Sequence, residues 1–108
     1  MIRLKSFLKN KIFKKYNQKK YFSQDGEDFL LCKIIATENP GFFVDIGAAH
    51  PIIGNNTYYF YRRGWRGLCV DASPGLDSLY QKQRPEDRFI NAFVGKNSGR
   101  REFFIFNE

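Results

Sequence analysis

The sequence predicts an α/β domain in which a parallel sheet is flanked by helices. Three short apolar runs, at 42–46, 67–71 and 88–94, alternate with segments of helical pattern. Strand, helix, strand, helix, strand is the order produced by parallel strands that are joined by right-handed crossovers. With 108 residues, of which 43% are hydrophobic, the chain has the length and composition of one modest globular domain.

Residues 1–22 form a basic N-terminal segment that differs in charge from the rest of the chain. Residues 1–20 contain eight of the 18 lysines and arginines and no acid, which leaves 10 basic and 11 acidic residues for 21–108, a net charge of −1. This near-neutral balance argues against a nucleic-acid surface spread over the domain. Apolar residues recur at every fourth position between lysines, which predicts a basic amphipathic helix over 2–16. This apolar stripe consists of Leu4, Leu8, Ile12 and Tyr16.

Two interpretations of this helix stay open. Its pattern is typical of a segment that lies on an anionic membrane surface, and also of a leading helix that packs on the domain or on a partner. No apolar run reaches the ~18 residues of a membrane-spanning helix, and the N-terminus lacks the apolar core and cleavage site of a secretory signal. We therefore expect a cytoplasmic protein, with peripheral membrane contact through 1–20 as an open alternative.

The element predicted after this segment is a helix that begins at Ser23. The Ser23 side chain can cap the first turn, and three acids between 25 and 28 favour the positive end of the helix. The run Asn-Pro-Gly at 39–41 stops the helix. The predicted apolar face consists of Phe29, Leu30, Ile34 and Ile35.

The first strand is predicted over 42–46, and its apolar composition favours burial on both faces. A short helix over 58–61 follows, capped by the Asn-Asn-Thr run at 55–57 and ended by Gly64. The second strand is predicted over 67–71.

The last third of the sequence predicts a helix and two strands. The helix covers 76–83 and is opened by Pro-Gly at 74–75, and the third strand covers 88–94. A turn at 96–99 then leads to a last strand over 102–106, which is predicted to return as a hairpin.

The cysteines, the histidine and the tryptophan are predicted to be structural. Cys32 and Cys69 lie among apolar neighbours, which favours reduced core thiols over a disulfide or a metal pair. With the single histidine, His50, they lack metal-ligand spacing, so no metal site is predicted. His50 is also a candidate general base, but a structural or solvent-exposed role is favoured because Pro51 fixes its loop. Trp65, near two glycines, is predicted to anchor a turn rather than to bind substrate.

Two of the predicted strands end on a carboxylate. Asp45 lies near the end of the first strand with Gly47 two residues further on, and Asp71 ends the second strand. Ligands of open parallel sheets bind beyond the carboxyl ends of the strands. Either acid alone is as typical of a helix cap or a turn as of a ligand contact. The pair, separated by one strand–helix–strand unit around Gly47, indicates a ligand site.

The same pattern discriminates between two cofactors. An NAD-binding turn, G-x-G-x-x-G, holds a pyrophosphate at a helix N-terminus. Here Gly47 has no second glycine after it, and Asp45 would repel a pyrophosphate. S-adenosylmethionine carries an ammonium, a sulfonium and a ribose diol but no phosphate. Asp45 can lie near its amino-acid end, Gly47 lets the backbone approach, and Asp71 can accept both ribose hydroxyls.

Two other functions stay open beside the binding of S-adenosylmethionine. One is an NAD-dependent enzyme of the same fold class. The other is a non-catalytic module that binds a membrane surface or a partner through residues 1–20.

Four blocks of the sequence resemble, in order and spacing, the FkbM family of S-adenosylmethionine-dependent methyltransferases. They are SQDGEDFLL (23–31), FFVDIGAAHP (42–51), NNTYYFYRRGWRGLCVDASPG (55–75) and RPEDRFINAFVG (84–95). The resemblance covers nearly all of 23–95. It implies a Rossmann-like class I methyltransferase fold and O-methylation of a hydroxyl on a sugar, a glycan or a natural product.

The resemblance also implies roles for individual residues. The cofactor contacts that it implies are Asp45, Gly47, Ala48, Asn56, Asp71 and Ala72. Asn56 and Thr57 would order the loop around the methionine end. Asn91 and Ala92, at the end of the third strand, would border the adenine. Asn55 stands where the family often has serine. No catalytic base is implied.

Proteins of this family continue into further strands, including a DxEG-like block that nothing in 96–108 matches. We therefore expect 23–108 to be the N-terminal, cofactor-binding part of the domain, with a sheet that ends after its third or fourth strand. The open edge of the strand at 42–46 predicts self-association. Because the acceptor side of the pocket is missing, we expect little or no methyl transfer by this chain alone.

Overall fold

The computed structural model describes residues 21–35 and 39–106, so the helix predicted over 2–16 and its membrane contact lie outside the described residues. Helices and strands alternate along the described chain. In order, the elements are helix α1 Glu27–Ile34, strand β1 Phe42–Ile46, helix α2 Tyr58–Tyr61, strand β2 Arg66–Asp71, helix α3 Leu76–Gln83 and strand β3 Arg88–Asn91.

The three strands form one parallel sheet whose spatial order, β1-β2-β3, follows the order of the chain. Pairing places Asp45 beside Cys69 and Asp71 beside Asn91. Since the strands are parallel, their carboxyl ends lie at the same edge of the sheet. The predicted α/β architecture, a parallel sheet with helices packed on it, is confirmed, and β1, β2 and α3 match their predicted bounds to within one residue.

One face of the sheet carries the core. Cys69 is fully buried there beside Ala48 and Tyr80, and the Tyr80 ring stacks on Phe89 with 4.5 Å between the ring centroids. Burial raises the pKa of the Cys69 thiol to about 11, so the thiol stays protonated at neutral pH. Cys69 is therefore the buried free thiol that the sequence predicts, whereas Cys32 on α1 is only half-buried.

The opposite face of the sheet is open along β1. The side chains of Phe42, Val44 and Ile46 point to this face and are 67%, 60% and 62% exposed. The prediction that this strand is buried on both faces is wrong. Helix α3 packs on the face that holds Cys69, and none of the described helices covers the other face of β1.

Helix α1 begins at Glu27, later than predicted, after Gly26 with a φ of 83°. The Ser23 hydroxyl donates to Asp28 Oδ1 at 2.7 Å, and Oδ2 of the fully buried Asp28 accepts the backbone N–H of Phe22 at 2.7 Å. These bonds hold the residues before the helix in a compact turn. Ser23 therefore bonds to the first turn of α1 from outside the helix and does not begin it.

The apolar face predicted for this helix is largely exposed. Leu30, Ile34 and Ile35 are 60%, 72% and 42% exposed. Phe29 packs edge-on against Tyr59 with the ring centroids 6.4 Å apart. Within the described chain α1 packs mainly on α2, so a single side of a short helix is engaged.

Helix α2 matches the helix predicted over 58–61, and one residue of the predicted capping run supplies its cap. Asn55 Oδ1 accepts the backbone N–H groups of Thr57 and Tyr58, both at 2.8 Å. This satisfies two of the donors that a helix N-terminus leaves unpaired.

Trp65 anchors the turn between α2 and β2, as predicted. Gly64, with a φ of 90°, closes this turn. The Trp65 ring packs on Phe60 with 5.2 Å between centroids. A Cβ added to Gly41 would lie 2.6 Å from the Trp65 ring, so the close packing of the ring requires glycine there.

Strand β3 stops at Asn91, three residues before its predicted end, and the strand predicted over 102–106 is absent from the described structure. The last rung of the ladder joins the Ala92 N–H to the Asp71 carbonyl at 3.1 Å, and β2 offers no further partner beyond Asp71. The large apolar residues at 103–106 are 49% to 89% exposed, which shows that apolar composition without a partner strand does not make a strand. Within 21–35 and 39–106, no helix has the length and apolarity needed to cross a membrane.

Candidate functional site

The turn that follows β1 is built over the end of β2. The N–H groups of Gly47 and Ala48 both donate to the Val70 carbonyl, at 2.8 and 3.1 Å. Gly47 has a φ of 76°, and Ala49 has a φ of 53°, which is a strained conformation for alanine. A Cβ added to Gly47 would have no heavy atom of the described residues within 4 Å apart from Gly47 and its two chain neighbours. The backbone at Gly47 therefore faces open space that a ligand can enter.

Asp71 connects this turn to the end of β2. Its Oδ2 accepts the Ala49 N–H at 2.9 Å, and its Oδ1 accepts the Ser73 N–H at 2.8 Å. Burial alone would raise the pKa of Asp71, but the hydrogen bonds from Ser73 and Ala49 outweigh it, so the pKa lies below its usual value. Asp71 is therefore an anion that holds Ala49 in its strained conformation. A carboxylate has about four lone-pair positions, so Asp71 keeps room for a further donor beside Ser73 and Ala49.

Asp45 lies on the same side of the sheet as Asp71. Asp45 pairs with Cys69, and side chains two residues apart on a strand share a face, so Asp45, Cys69 and Asp71 all point to the covered side. Asp45 Oδ2 accepts the Thr57 hydroxyl at 3.0 Å, and the residue is half-buried. The two strand-ending carboxylates thus flank the Gly47 turn.

The loop between the turn and α2 is folded around His50. The ring Nδ1 accepts the backbone N–H groups of Ile52 and Ile53, at 3.0 and 2.9 Å. A neutral ring that accepts at Nδ1 carries its proton on Nε2, so it cannot take a proton from a substrate. Burial lowers the pKa of His50, which favours this neutral form. The structural role predicted for His50 is confirmed.

Asn55 holds this loop against the sheet. The side chain is fully buried, and its Nδ2 lies 3.0 Å from the carbonyl oxygens of both Ala48 and His50. Sequence reasoning gave Asn55 a capping role and assigned the ordering of the loop to Asn56 and Thr57. Asn56 is exposed, whereas Asn55 and Thr57 make the ordering contacts. The Asn-Asn-Thr capping run at 55–57 was the sequence feature that pointed to this role of Asn55.

Arg84 is a residue of the site that sequence reasoning missed. Its side chain is fully buried and pairs with Asp87, with 2.8 Å between Arg84 Nε and Asp87 Oδ2. Its Nη1 donates to the Pro51 carbonyl and to Asn55 Oδ1, and its Nη2 donates to Thr57 Oγ1. Nothing in the charged run 84–88 distinguishes Arg84 from an exposed turn residue. Its burial is a property of the tertiary structure.

The end of β3 completes this edge of the sheet. Asn91 Nδ2 donates to the carbonyls of Asp71 and Ser73, at 3.0 and 2.8 Å. Ala72 lies half-buried between these two residues, and Ala92 makes the last rung with Asp71. The predicted cofactor and adenine positions at the ends of β2 and β3 are thus neighbours in space.

One of the predicted cofactor contacts belongs to the core. The Ala48 side chain is only 5% exposed and packs with Cys69 and Tyr80, and its N–H is engaged by Val70. Ala48 therefore shapes the turn from inside, and Gly47 presents the open backbone. In the described ranges, no group of three acidic, cysteine or histidine side chains could hold a metal ion.

Comparisons of the chain with protein-family models, with curated proteins and with solved structures find no match. The function of the chain has to be inferred from the chemistry of the site itself.

Proposed function

We propose that the described residues form the S-adenosylmethionine-binding part of a Rossmann-like, class I methyltransferase. The observation that carries the proposal is the pair of carboxylates, Asp45 and Asp71, at the carboxyl ends of adjacent parallel strands on either side of the open Gly47 turn. This is the edge at which open α/β sheets bind their ligands.

The residues present fit this cofactor. Asp71 is ionised and keeps room for a further hydrogen-bond donor, which suits a ribose hydroxyl. Asp45 offers a negative charge to the ammonium and sulfonium end. Gly47 leaves the space that a ligand needs to approach the backbone. These three residues would hold the sugar and the methionine end.

The same features disfavour an NAD-dependent enzyme. A pyrophosphate needs a glycine-rich turn that opens a helix, with backbone N–H groups free to donate. The N–H groups of Gly47, Ala48 and Ala49 instead donate to Val70 and Asp71. A carboxylate on each side of the turn would repel the phosphates.

The bound cofactor would supply an activated methyl group, and the chain would supply position. We propose that the acceptor is a hydroxyl of a sugar, a glycan or a natural product, on the basis of the resemblance to the FkbM family. His50 is engaged at Nδ1 and offers no base to this acceptor. In this proposal the described residues hold the cofactor side of the pocket, where position matters most for transfer to the acceptor oxygen.

Asp71 provides the test of the proposal. In Asp71→Asn, one oxygen and the charge are lost while the shape is kept, so binding of S-adenosylhomocysteine should weaken by about tenfold or more. Isothermal titration calorimetry on the whole chain measures this change. The matched control is Asp77→Asn, because Asp77 is an exposed acid in the first turn of α3.

Two outcomes of this titration would contradict the proposal. One is a wild-type chain that binds NAD but not S-adenosylhomocysteine. The other is an Asp71→Asn variant whose affinity for S-adenosylhomocysteine equals that of the Asp77→Asn control.

A further inference from the structure

We infer that Arg84 is a positioning residue that, through Thr57, holds Asp45 for the positively charged end of the ligand. This inference rests on the proposed function, because it specifies how one of the two carboxylates of that site is oriented. None of the proposed cofactor contacts explains why a cation is buried at this site, and the inference gives Arg84 that role.

The charge of Arg84 is balanced within the protein. Its partner Asp87 has a side chain that is as fully buried as that of Arg84. Asp87 Oδ2 accepts from Arg84 Nε at 2.8 Å, and Asp87 Oδ1 accepts the backbone N–H of Gly67 on β2 at 2.9 Å. The ion pair is thus neutral as a unit and is fixed to the sheet by a backbone hydrogen bond. A buried arginine without such a partner would be strongly destabilising.

A chain of hydrogen bonds leads from this pair to Asp45. Arg84 Nη2 donates to Thr57 Oγ1 at 3.0 Å, so the Thr57 hydroxyl must direct its own proton elsewhere. Thr57 Oγ1 lies 3.0 Å from both Asp45 Oδ2 and Asn55 Oδ1. Asn55 Oδ1 already accepts from Arg84 Nη1 and from the N–H groups of Thr57 and Tyr58. The charged and less occupied Asp45 is the stronger acceptor, and the Thr57 proton is directed to it.

This arrangement orients Asp45 without neutralising it. The three charges of the cluster are one cation, Arg84, and two anions, Asp87 and Asp45. Arg84 and Asp87 cancel each other, so the remaining negative charge lies on the half-buried Asp45 at the end of β1. A carboxylate in such a partly desolvated place attracts a cationic group more strongly than one in bulk water. The site therefore selects a ligand that carries an ammonium or sulfonium next to its nucleoside.

The test compares two ligands that differ only in the part Asp45 is inferred to contact. S-adenosylhomocysteine carries the charged amino-acid end, and adenosine lacks it. Thr57→Val removes the hydroxyl while keeping the shape of the side chain. Thr57→Ser restores the hydroxyl. The whole chain is titrated calorimetrically with both ligands. Thr57→Val should weaken the affinity for S-adenosylhomocysteine by about tenfold and change the affinity for adenosine by less than about twofold. Thr57→Ser should recover most of the lost affinity.

A second pair of variants tests the cation itself. Arg84→Lys keeps the charge, but a lysine cannot reach Asp87, Asn55 and Thr57 together. This variant should therefore also weaken the affinity for S-adenosylhomocysteine more than the affinity for adenosine. Arg88→Lys is the matched control, since Arg88 is an exposed arginine at the start of β3, at the opposite edge of the sheet. It should leave both affinities unchanged.

The possible results separate this inference from the proposed function. A wild-type chain that binds neither ligand contradicts both. A wild-type chain that binds S-adenosylhomocysteine, with Thr57→Val binding it equally well, contradicts the positioning role alone. If Thr57→Val weakens the affinities for both ligands equally, the hydroxyl supports the fold as a whole and does not orient Asp45. This result would overturn the inference.

Discussion

The two faces of the sheet differ in how completely the described chain covers them. On the face that holds Cys69, the residues Cys69 and Tyr80 are 0% and 1% exposed. On the other face, Phe42, Val44 and Ile46 remain mostly exposed. Both carboxylates of the candidate site point to the covered face. The site therefore depends on one face of the sheet, and the open face leaves room for another partner.

The largest effect is expected where the covered face holds its buried ion pair. Arg84→Ala leaves Asp87 buried without its cation, and breaking a buried pair in this way costs about 3–5 kcal/mol. Denaturant unfolding followed by circular dichroism measures this loss of unfolding free energy. Arg88→Ala, at the exposed start of β3, should change it by less than about 0.5 kcal/mol. Equal losses in the two variants would show that the covered face does not depend on the pair.

A smaller effect on stability, but a clear one on assembly, is expected on the open face. We propose that the edge of β1 that no described strand pairs binds a second copy of the chain, since this strand carries no lysine or proline that would prevent it. Val44→Lys should reduce self-association in light scattering, with a change in unfolding free energy within about 1 kcal/mol.

The control for this prediction places the same charge away from the sheet. Val94 is 53% exposed and lies beyond the end of β3. Val94→Lys adds the same charge to the chain as Val44→Lys. If Val94→Lys reduces scattering as much as Val44→Lys does, net charge and not the edge of β1 governs association.

The smallest effect is expected from the loop at His50. Burial lowers the pKa of His50 in the folded state, so folding favours the neutral ring that accepts from Ile52 and Ile53. The stabilisation is complete above the unfolded value of about 6.5 and is lost as the pH falls through the lower folded value. Because the ring is partly exposed, the loss should stay below about 1 kcal/mol.

The measurement for His50 is the unfolding free energy at about pH 7.5 and about pH 5.5. In His50→Asn, a side-chain oxygen can replace Nδ1 as the acceptor without titrating in this range, so the difference between the two pH values should shrink. A difference of the same size in this variant would assign the pH dependence to other groups.

The sequence was sufficient to predict β1, β2 and their two carboxylates but not the contacts that hold them. Apolar runs bounded by glycine located β1 and β2, and the parallel order then put Asp45 and Asp71 at one edge. Arg84 could not be predicted, because its charged neighbours are typical of a solvated turn. Its partner Thr57 lies 27 residues earlier in the chain, and only the folded structure brings the two together.

The errors about burial have a common physical cause. The composition of β1, and of the run at 103–106, shows that these residues can be buried, but it does not show which element would cover them. Both segments are apolar, and both are largely exposed in the described structure. Periodicity predicts the type of an element, whereas burial depends on neighbours that a single segment does not reveal.

The strand order has a consequence for the kinetics of folding. Because β1 pairs with β2 and β2 with β3 in parallel, each pairing must first close a crossover loop, and this entropic cost is paid before the strand contacts form. The bonds from Ala49 to Asp71 and from Asn91 to Asp71 span 22 and 20 residues. Parallel pairings between such distant residues form slowly. We therefore expect the ligand-binding edge to assemble late in folding, after the local helical turns.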